Sequence, residues 1–193
     1  LALYISFLFW GKFDSVIFYN YEIIIPKIIL LIFFLVWFLG IYNAVNLIDG
    51  VDGLAGGYII ILIIGFNFVS KQPLNELNLV LMCLLIVFMV FNQRPAKVFM
   101  GDAGSLLLGF YVAVLPLLNS NELNGNINRS LDVTPFLILT TFLIADTSRV
   151  FFTRILSGKS PMNADTIHFH HLVLQKSGSY LTTLFLIYFI IFL

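Results

Sequence analysis

The chain has 193 residues, of which 60% are hydrophobic and 10% charged, against about 25% charged in an ordinary soluble domain. That balance suits a chain embedded in lipid and excludes a water-soluble globule. Ten Lys+Arg and ten Asp+Glu cancel to a formal net charge of zero, so no basic field recruits nucleic acid, and membrane lipid is the expected partner.

The chain opens in an apolar stretch, Leu1 to Trp10, and closes in another, Leu184 to Leu193. Both are shorter than the roughly 20 residues that a bilayer-crossing helix needs. With no initiator Met, a fragment cut at both ends is expected. Between them, apolar helical runs are predicted at 23–41, 54–69, 77–91, 104–118 and 134–151. Several are short for free-standing spans and need helical neighbours, which also make Gly65, Pro116 and Pro135 tolerable by satisfying freed backbone groups. Cys83 is the single cysteine and lies in an apolar run, which excludes an internal disulfide. The predicted class is all-α: a polytopic transmembrane helical bundle forming one membrane domain, without repeats or soluble modules.

Successive crossings put residues 11–22, 70–76 and 119–133 on one side, and 42–53, 92–103 and 152–179 on the other. The first set reads as ordinary solvated loops. The second holds Asp49, Asp52, Asp102, Asp165 and all three histidines, with Arg94, Lys97, Arg154, Lys159 and Lys176. The excess of basic residues there places that face in the cytoplasm.

The first motif loop is NAVNLIDGVDGLAGG, residues 43–57, where Asn43, Asn46, Asp49 and Asp52 recur every third residue. They would stack on one face of a 3₁₀ turn or spread over about half of an α-helix. Either way amides and carboxylates gather, and Gly50, Gly53, Gly56 and Gly57 leave room for a ligand or another backbone. The plainer alternative is a polar turn with Asp52 capping the next helix. In FNQRPAKVFMGDAGSLLLGF, residues 91–110, Asp102 stands where an apolar helix begins. A helix N-terminus offers free N–H groups and a positive dipole end for phosphate; a bare N-cap is the alternative, and Arg94 and Lys97 equally suit interfacial anchors.

In SGKSPMNADTIHFHHL, residues 157–172, His168, His170 and His171 stand at i, i+2 and i+3, which one helix face cannot present together, so a loop or helix start is implied. The absence of nearby cysteines and of a structural zinc spacing favours phosphate or sugar binding over zinc. Asp146, in the apolar run TTFLIADTSRV, is an ionisable group within a span, either functional or paired with Arg149 three residues on.

Together these motifs resemble the polyprenyl-phosphate N-acetylhexosamine-1-phosphate transferases of glycosyltransferase family 4, which start enterobacterial common antigen, O-antigen and wall teichoic acid. NAVNLIDGVDGLAGG looks like the family's Asn- and Asp-rich loop, VFMGDAGS like its metal-binding loop, and ADTSRVFFTRILSGKSP with HFHH like its last cytoplasmic loop. The HFHH form is closer to the N-acetylglucosamine branch than to the phospho-muramoyl-pentapeptide transferases. Departures are Thr166 where a basic residue is common, Met162 where Phe is frequent, and no counterpart of the upstream Asp-Asp pair.

The resemblance implies transfer of N-acetylhexosamine-1-phosphate from a UDP-N-acetylhexosamine to undecaprenyl phosphate, giving undecaprenyl-diphospho-sugar and UMP. It implies a magnesium cofactor, or manganese in its place, held by Asp102. Asp49 is cast as a positioning carboxylate rather than the essential base. Asp52, Asn92 and Phe99 would hold the uridine, with Phe99 stacking on the base. His168, His170, His171 and Arg154 would face the diphosphate and sugar, and Asn43, Asn46 and Asp165 join the substrate-binding set. Lacking the acidic pair, the segment alone is expected to be inactive. A homodimer is compatible with the sequence. The alternative class is a membrane transporter with intramembrane acidic residues such as Asp146; crowding of polar groups on one face, away from the midplane, argues against it.

Overall fold

The computed structural model describes residues 13–71, 74–118, 130–158, 160 and 168–192. Pro26 decides where the first helix begins. The residue before a proline is pushed toward extended backbone, so residues 21–24, read from sequence as the start of a helix, instead form a strand. Strands β1 (Ser15–Phe18) and β2 (Tyr21–Ile24) pair antiparallel. Tyr19 and Asn20 between them both have positive φ, 50° and 67°, the backbone of a two-residue hairpin turn. Strand β3 (Ser130–Asp132) adds parallel to β1, setting Val16 opposite Leu131. The described residues are mostly helical, in keeping with the all-α expectation, with a small three-stranded sheet beside seven helices. Alternation of β-branched and aromatic residues around the turn favours strands there.

Helix α1 (Lys27–Ile48) runs 22 residues, seven beyond the expected end at 41. Its buried stripe explains the extension. Leu30, Phe34, Trp37, Phe38, Ile41, Ala44, Val45 and Ile48 continue at helical spacing to the last turn, so the segment 42–48 is helix, not loop. Helices α2 (Leu54–Ser70), α3 (Glu76–Asn92), α4 (Gly101–Leu118) and α5 (Thr134–Leu156) follow, then α6 (Phe169–Ser177) and α7 (Tyr180–Phe192).

Helix α1 packs chiefly against α4 and also against α5; Trp37 Nε1–H donates to the Ala113 carbonyl at 3.0 Å, fixing the first pair. Helix α2 is the most enclosed, burying Leu54 to Ile59, Leu62, Ile63 and Phe66, and Tyr58 ties it to α5 through the Leu139 carbonyl at 3.1 Å. Helix α3 buries only Asn78, Leu85 and Asn92. Large apolar side chains cover much of the outside, including Ile28, Val36, Phe68, Val90 and Leu156. Helices α1 and α5 are long and apolar enough to cross a membrane; α2, α3, α4 and α7 are shorter apolar helices.

Candidate active site

Helix α1 stops at Asp49, and the chain turns through Gly50 to Gly53 before α2 begins. Gly53 has φ of 78°, left-handed backbone that glycine adopts without a Cβ clash. Asn43 and Asn46 therefore lie on the last two turns of an α-helix, Asn43 exposed and Asn46 half-buried. Asn46 reaches α4: its Nδ2 donates to Ser105 Oγ at 2.7 Å and lies 3.5 Å from Asp102 Oδ1, the outer limit of a hydrogen bond. Asp102 sits exposed in the first turn of α4. Ser105, buried beneath it, is a site residue that sequence reasoning did not single out, although it lies inside the GDAGS string.

Burial and the charges of Asp102 and Asp52 push the Asp49 carboxyl up to about 6. Asp49 thus lies within electrostatic reach of two further carboxylates, a donor set suited to a hard cation. Among the described residues no three His, Cys, Asp or Glu side chains close into a cage. Magnesium does not require one, since it commonly takes one or two carboxylates and completes its shell with water and phosphate oxygens.

Asn92, at the end of α3, is buried, and its amide bridges two loops. Its Oδ1 accepts from the Gly53 N–H at 2.7 Å, and its Nδ2 donates to the Val98 carbonyl at 2.8 Å. This bracket holds the Asp52 turn against the segment carrying Phe99, a residue that is 72% exposed. From the other side, α7 supplies two tyrosines absent from the sequence-based set. Tyr180 OH donates to the Asp52 carbonyl at 2.5 Å, and Tyr188 OH to the Gly53 carbonyl at 2.6 Å. Arg94 lies over the Tyr180 ring at 5.8 Å. No local signal marks these tyrosines, because their partners are more than a hundred residues away in sequence.

The histidines begin α6. His168 is its N-cap residue and His170 and His171 lie in its first turn. Asp146, on α5, takes hold of this start: Oδ2 pairs with His168 Nδ1 at 3.0 Å, while Oδ1 accepts from the Phe169 N–H at 3.0 Å and from Arg149 Nη2 at 2.7 Å. The carboxylate therefore satisfies a free N–H at the helix start and complements its dipole. The expected pairing of Asp146 with Arg149 occurs, and the same carboxylate also meets His168, a contact that the sequence reading did not include.

The His168 and His170 rings stack with centroids 5.8 Å apart, and those of His170 and His171 lie 4.2 Å apart. His170 is buried and its Nε2 faces Gly50, where an added Cβ would lie 2.7 Å away. Burial, then the neighbouring His171 and His168, push the His170 imidazole down to about 4. Arg154 is buried in the last turn of α5. Asp165, with Lys159, Met162 and Thr166, lies outside the described residues.

Residues 1–120, more than half the chain, match the family described as glycosyl transferase family 4. The chain belongs to this family. It is 37% identical over 165 residues to the "Probable undecaprenyl-phosphate N-acetylglucosaminyl 1-phosphate transferase" of Bacillus subtilis (strain 168), covering 81% of this chain and 44% of that protein. It is 39% identical over 125 residues to a phospho-N-acetylmuramoyl-pentapeptide-transferase of Fervidobacterium nodosum, covering 64% of this chain and 39% of that one. A transferase of the same name from Dictyoglomus turgidum is 42% identical over 114 residues, 57% of this chain and 37% of that protein. The chain spans less than half the length of these relatives. Both named activities are phosphosugar transferases, so membership supports transferase chemistry over the transporter alternative.

Proposed function

We propose that the protein containing this chain transfers N-acetylhexosamine-1-phosphate from a UDP-sugar to undecaprenyl phosphate, releasing UMP. The reading rests chiefly on one observation: the end of α1 meets the α4 start through Asn46, and the turn that follows it meets the α6 start through Gly50. Three helix starts and three carboxylates thereby frame one place, as a diphosphate and a hard cation require.

In this reading Asp102 holds magnesium, with manganese as a substitute, and Asp49 positions and orders the neighbouring groups. The bound cation would neutralise charge on the diphosphate, in a reaction where positioning and electrostatics do most of the work. A lipid phosphate with a second pKa of about 6 is largely dianionic at neutral pH and needs little general-base help. Asn46 orients Asp102. The bracketed Asp52 turn and exposed Phe99 receive uridine, with Asn92 acting through its bridge, and the α6 histidines face the diphosphate and sugar. A groove of about 280 Å³ between α1 and α5, lined by Phe33, Val36, Trp37, Ile41, Leu137 and Ile144, offers an apolar bed for the polyprenyl chain. The helices form a multi-pass bundle in a bacterial cytoplasmic membrane with the motif face inward, in keeping with its excess of basic residues.

The test is transfer of radiolabel from a panel of UDP-N-acetylhexosamines into butanol-extractable lipid by the full-length protein in membranes. Label appearing with undecaprenyl phosphate and magnesium, and lost on chelation, is expected. No lipid-linked label with any donor would overturn the reading.

A further inference from the structure

Asp146 stands at the start of the histidine helix, yet the transferase reading gives it no task. Its two oxygens are differently employed. Oδ1 has two donors, the Phe169 N–H at 3.0 Å and Arg149 Nη2 at 2.7 Å, whereas among the described residues Oδ2 meets only a ring nitrogen, His168 Nδ1 at 3.0 Å. A carboxylate in that place accepts, so Nδ1 carries the hydrogen. The other nitrogen, His168 Nε2, is buried and has no hydrogen-bond partner among the described residues. Buried polar atoms are rarely left so, and an orphan in a cleft invites a functional explanation. His168 lines a cavity of about 10 Å³ with Ala44, Leu47, Ile48, Phe142, Asp146 and Thr147, space for about one water. Ala44 and Thr147 also wall the larger α1–α5 groove.

We propose that Asp146 is a positioning residue that locks His168 in the Nδ1–H form, so that Nε2 keeps a lone pair to accept a hydrogen bond from a substrate hydroxyl. Arg149 and the Phe169 amide fix the carboxylate, and the carboxylate fixes the ring. The contribution to turnover rests on the transferase reading; the ring's tautomer does not.

The two variants to compare in the full-length protein are D146N and D146E. An asparagine keeps its carbonyl oxygen where two donors already point, at the Oδ1 position, and so turns its NH₂ toward His168 Nδ1. The ring must then accept at Nδ1 and carry its hydrogen on Nε2. Nitrogen NMR of ¹⁵N-histidine-labelled protein in liposomes at pH 8, with His168 assigned by H168Q, should read Nδ1–H in the parent and D146E, and Nε2–H in D146N. For D146N, kcat should fall about 10- to 100-fold while KM for the UDP-sugar moves less than about threefold, the split expected when a group acts beyond ground-state binding. D146E should recover part of the loss. An unchanged tautomer in D146N overturns the proposal, as does a reversed tautomer with unchanged kcat. If the parent transfers no sugar phosphate at all, the functional reading falls, and the tautomer still decides whether Asp146 sets the ring.

Discussion

Helix α1 joins two differently built ends, about 33 Å apart at 1.5 Å per residue. At the sheet end, polar groups are spent on one another. The Val133 N–H donates to the Ile17 carbonyl at 3.0 Å, the Thr134 N–H to Asp132 Oδ1 at 2.9 Å, and the Tyr19 N–H to Thr134 Oγ1 at 2.8 Å. Ser15 pairs with Glu22, and Lys27 with Asp14. At the motif end, Asp49 is crowded by two further carboxylates. Two of the three buried side-chain nitrogens without partners among the described residues are histidine nitrogens there. The first end closes the fold and the second leaves chemistry open, so substitutions should sort by end: activity lost with the fold intact at one, stability lost with substrate affinity intact at the other.

The largest effect is expected from Asp102→Asn. It removes a carboxylate from the proposed cation site while keeping size and much of the Asn46 contact. Transfer should fall by roughly 10²- to 10³-fold, as when a charge-stabilising group is removed, and the magnesium dependence should shift to higher concentration, with melting in detergent unchanged. Retained activity at the same magnesium optimum would end the ligand assignment.

Asn92→Ala tests the bracket. It strips partners from the Gly53 N–H and the Val98 carbonyl; each buried group left unsatisfied costs about 1–3 kcal/mol. The variant should melt earlier and raise KM for the nucleotide sugar, because the Asp52 turn and the Phe99 segment are no longer tied. A rise in KM without lost stability would mean that Asn92 touches the substrate directly and that its bridge is secondary.

At the sheet end, Leu131→Ala hollows a position that is 2% exposed and opposite Val16. A loss of about 2–4 kcal/mol is expected, with KM for the nucleotide sugar unchanged in the protein that remains folded. A shifted KM would show that the ends are coupled through α1 and would dissolve the distinction.

What sequence could reveal depended on how far apart the partners lie. The spacing of Asn43, Asn46, Asp49 and Asp52 announced a gathering of polar groups, and the apolar runs located five helices, α2, α3 and α4 within three residues at each end. The end of α1 was misplaced because asparagines at 43 and 46 look like loop residues, while the buried stripe of Ala44, Val45 and Ile48 keeps the helix going. The sheet was missed because its hairpin turns on Tyr19–Asn20 and its third strand comes from residue 130 onward. Asp146 announced itself as an ionisable group among apolar neighbours, but His168 lies 22 residues away, and no periodicity joins them. The tyrosine clamps on Asp52 and Gly53 span 128 and 135 residues and leave no local trace.

The smallest expected effect belongs to His170 and concerns stability rather than turnover. In the folded protein its imidazole is pushed down to about 4, first by burial and then by His171 and His168, with Asp146 opposing. In the unfolded chain it titrates near the ordinary value of about 6.5. Between those values the unfolded chain binds the extra proton, so stability is fully present above about pH 6.5 and declines as pH falls toward 4. At pH 6 the loss from this one group is about 1 kcal/mol, and the slope below that approaches about 1.4 kcal/mol per pH unit. Melting of the detergent-solubilised protein from pH 8 to 5 measures it. The His170→Gln variant, which cannot take up that proton, should show a flatter decline across the same range. If parent and variant decline in parallel, the acid sensitivity arises elsewhere, and His170 is not the group that burial holds neutral against Gly50.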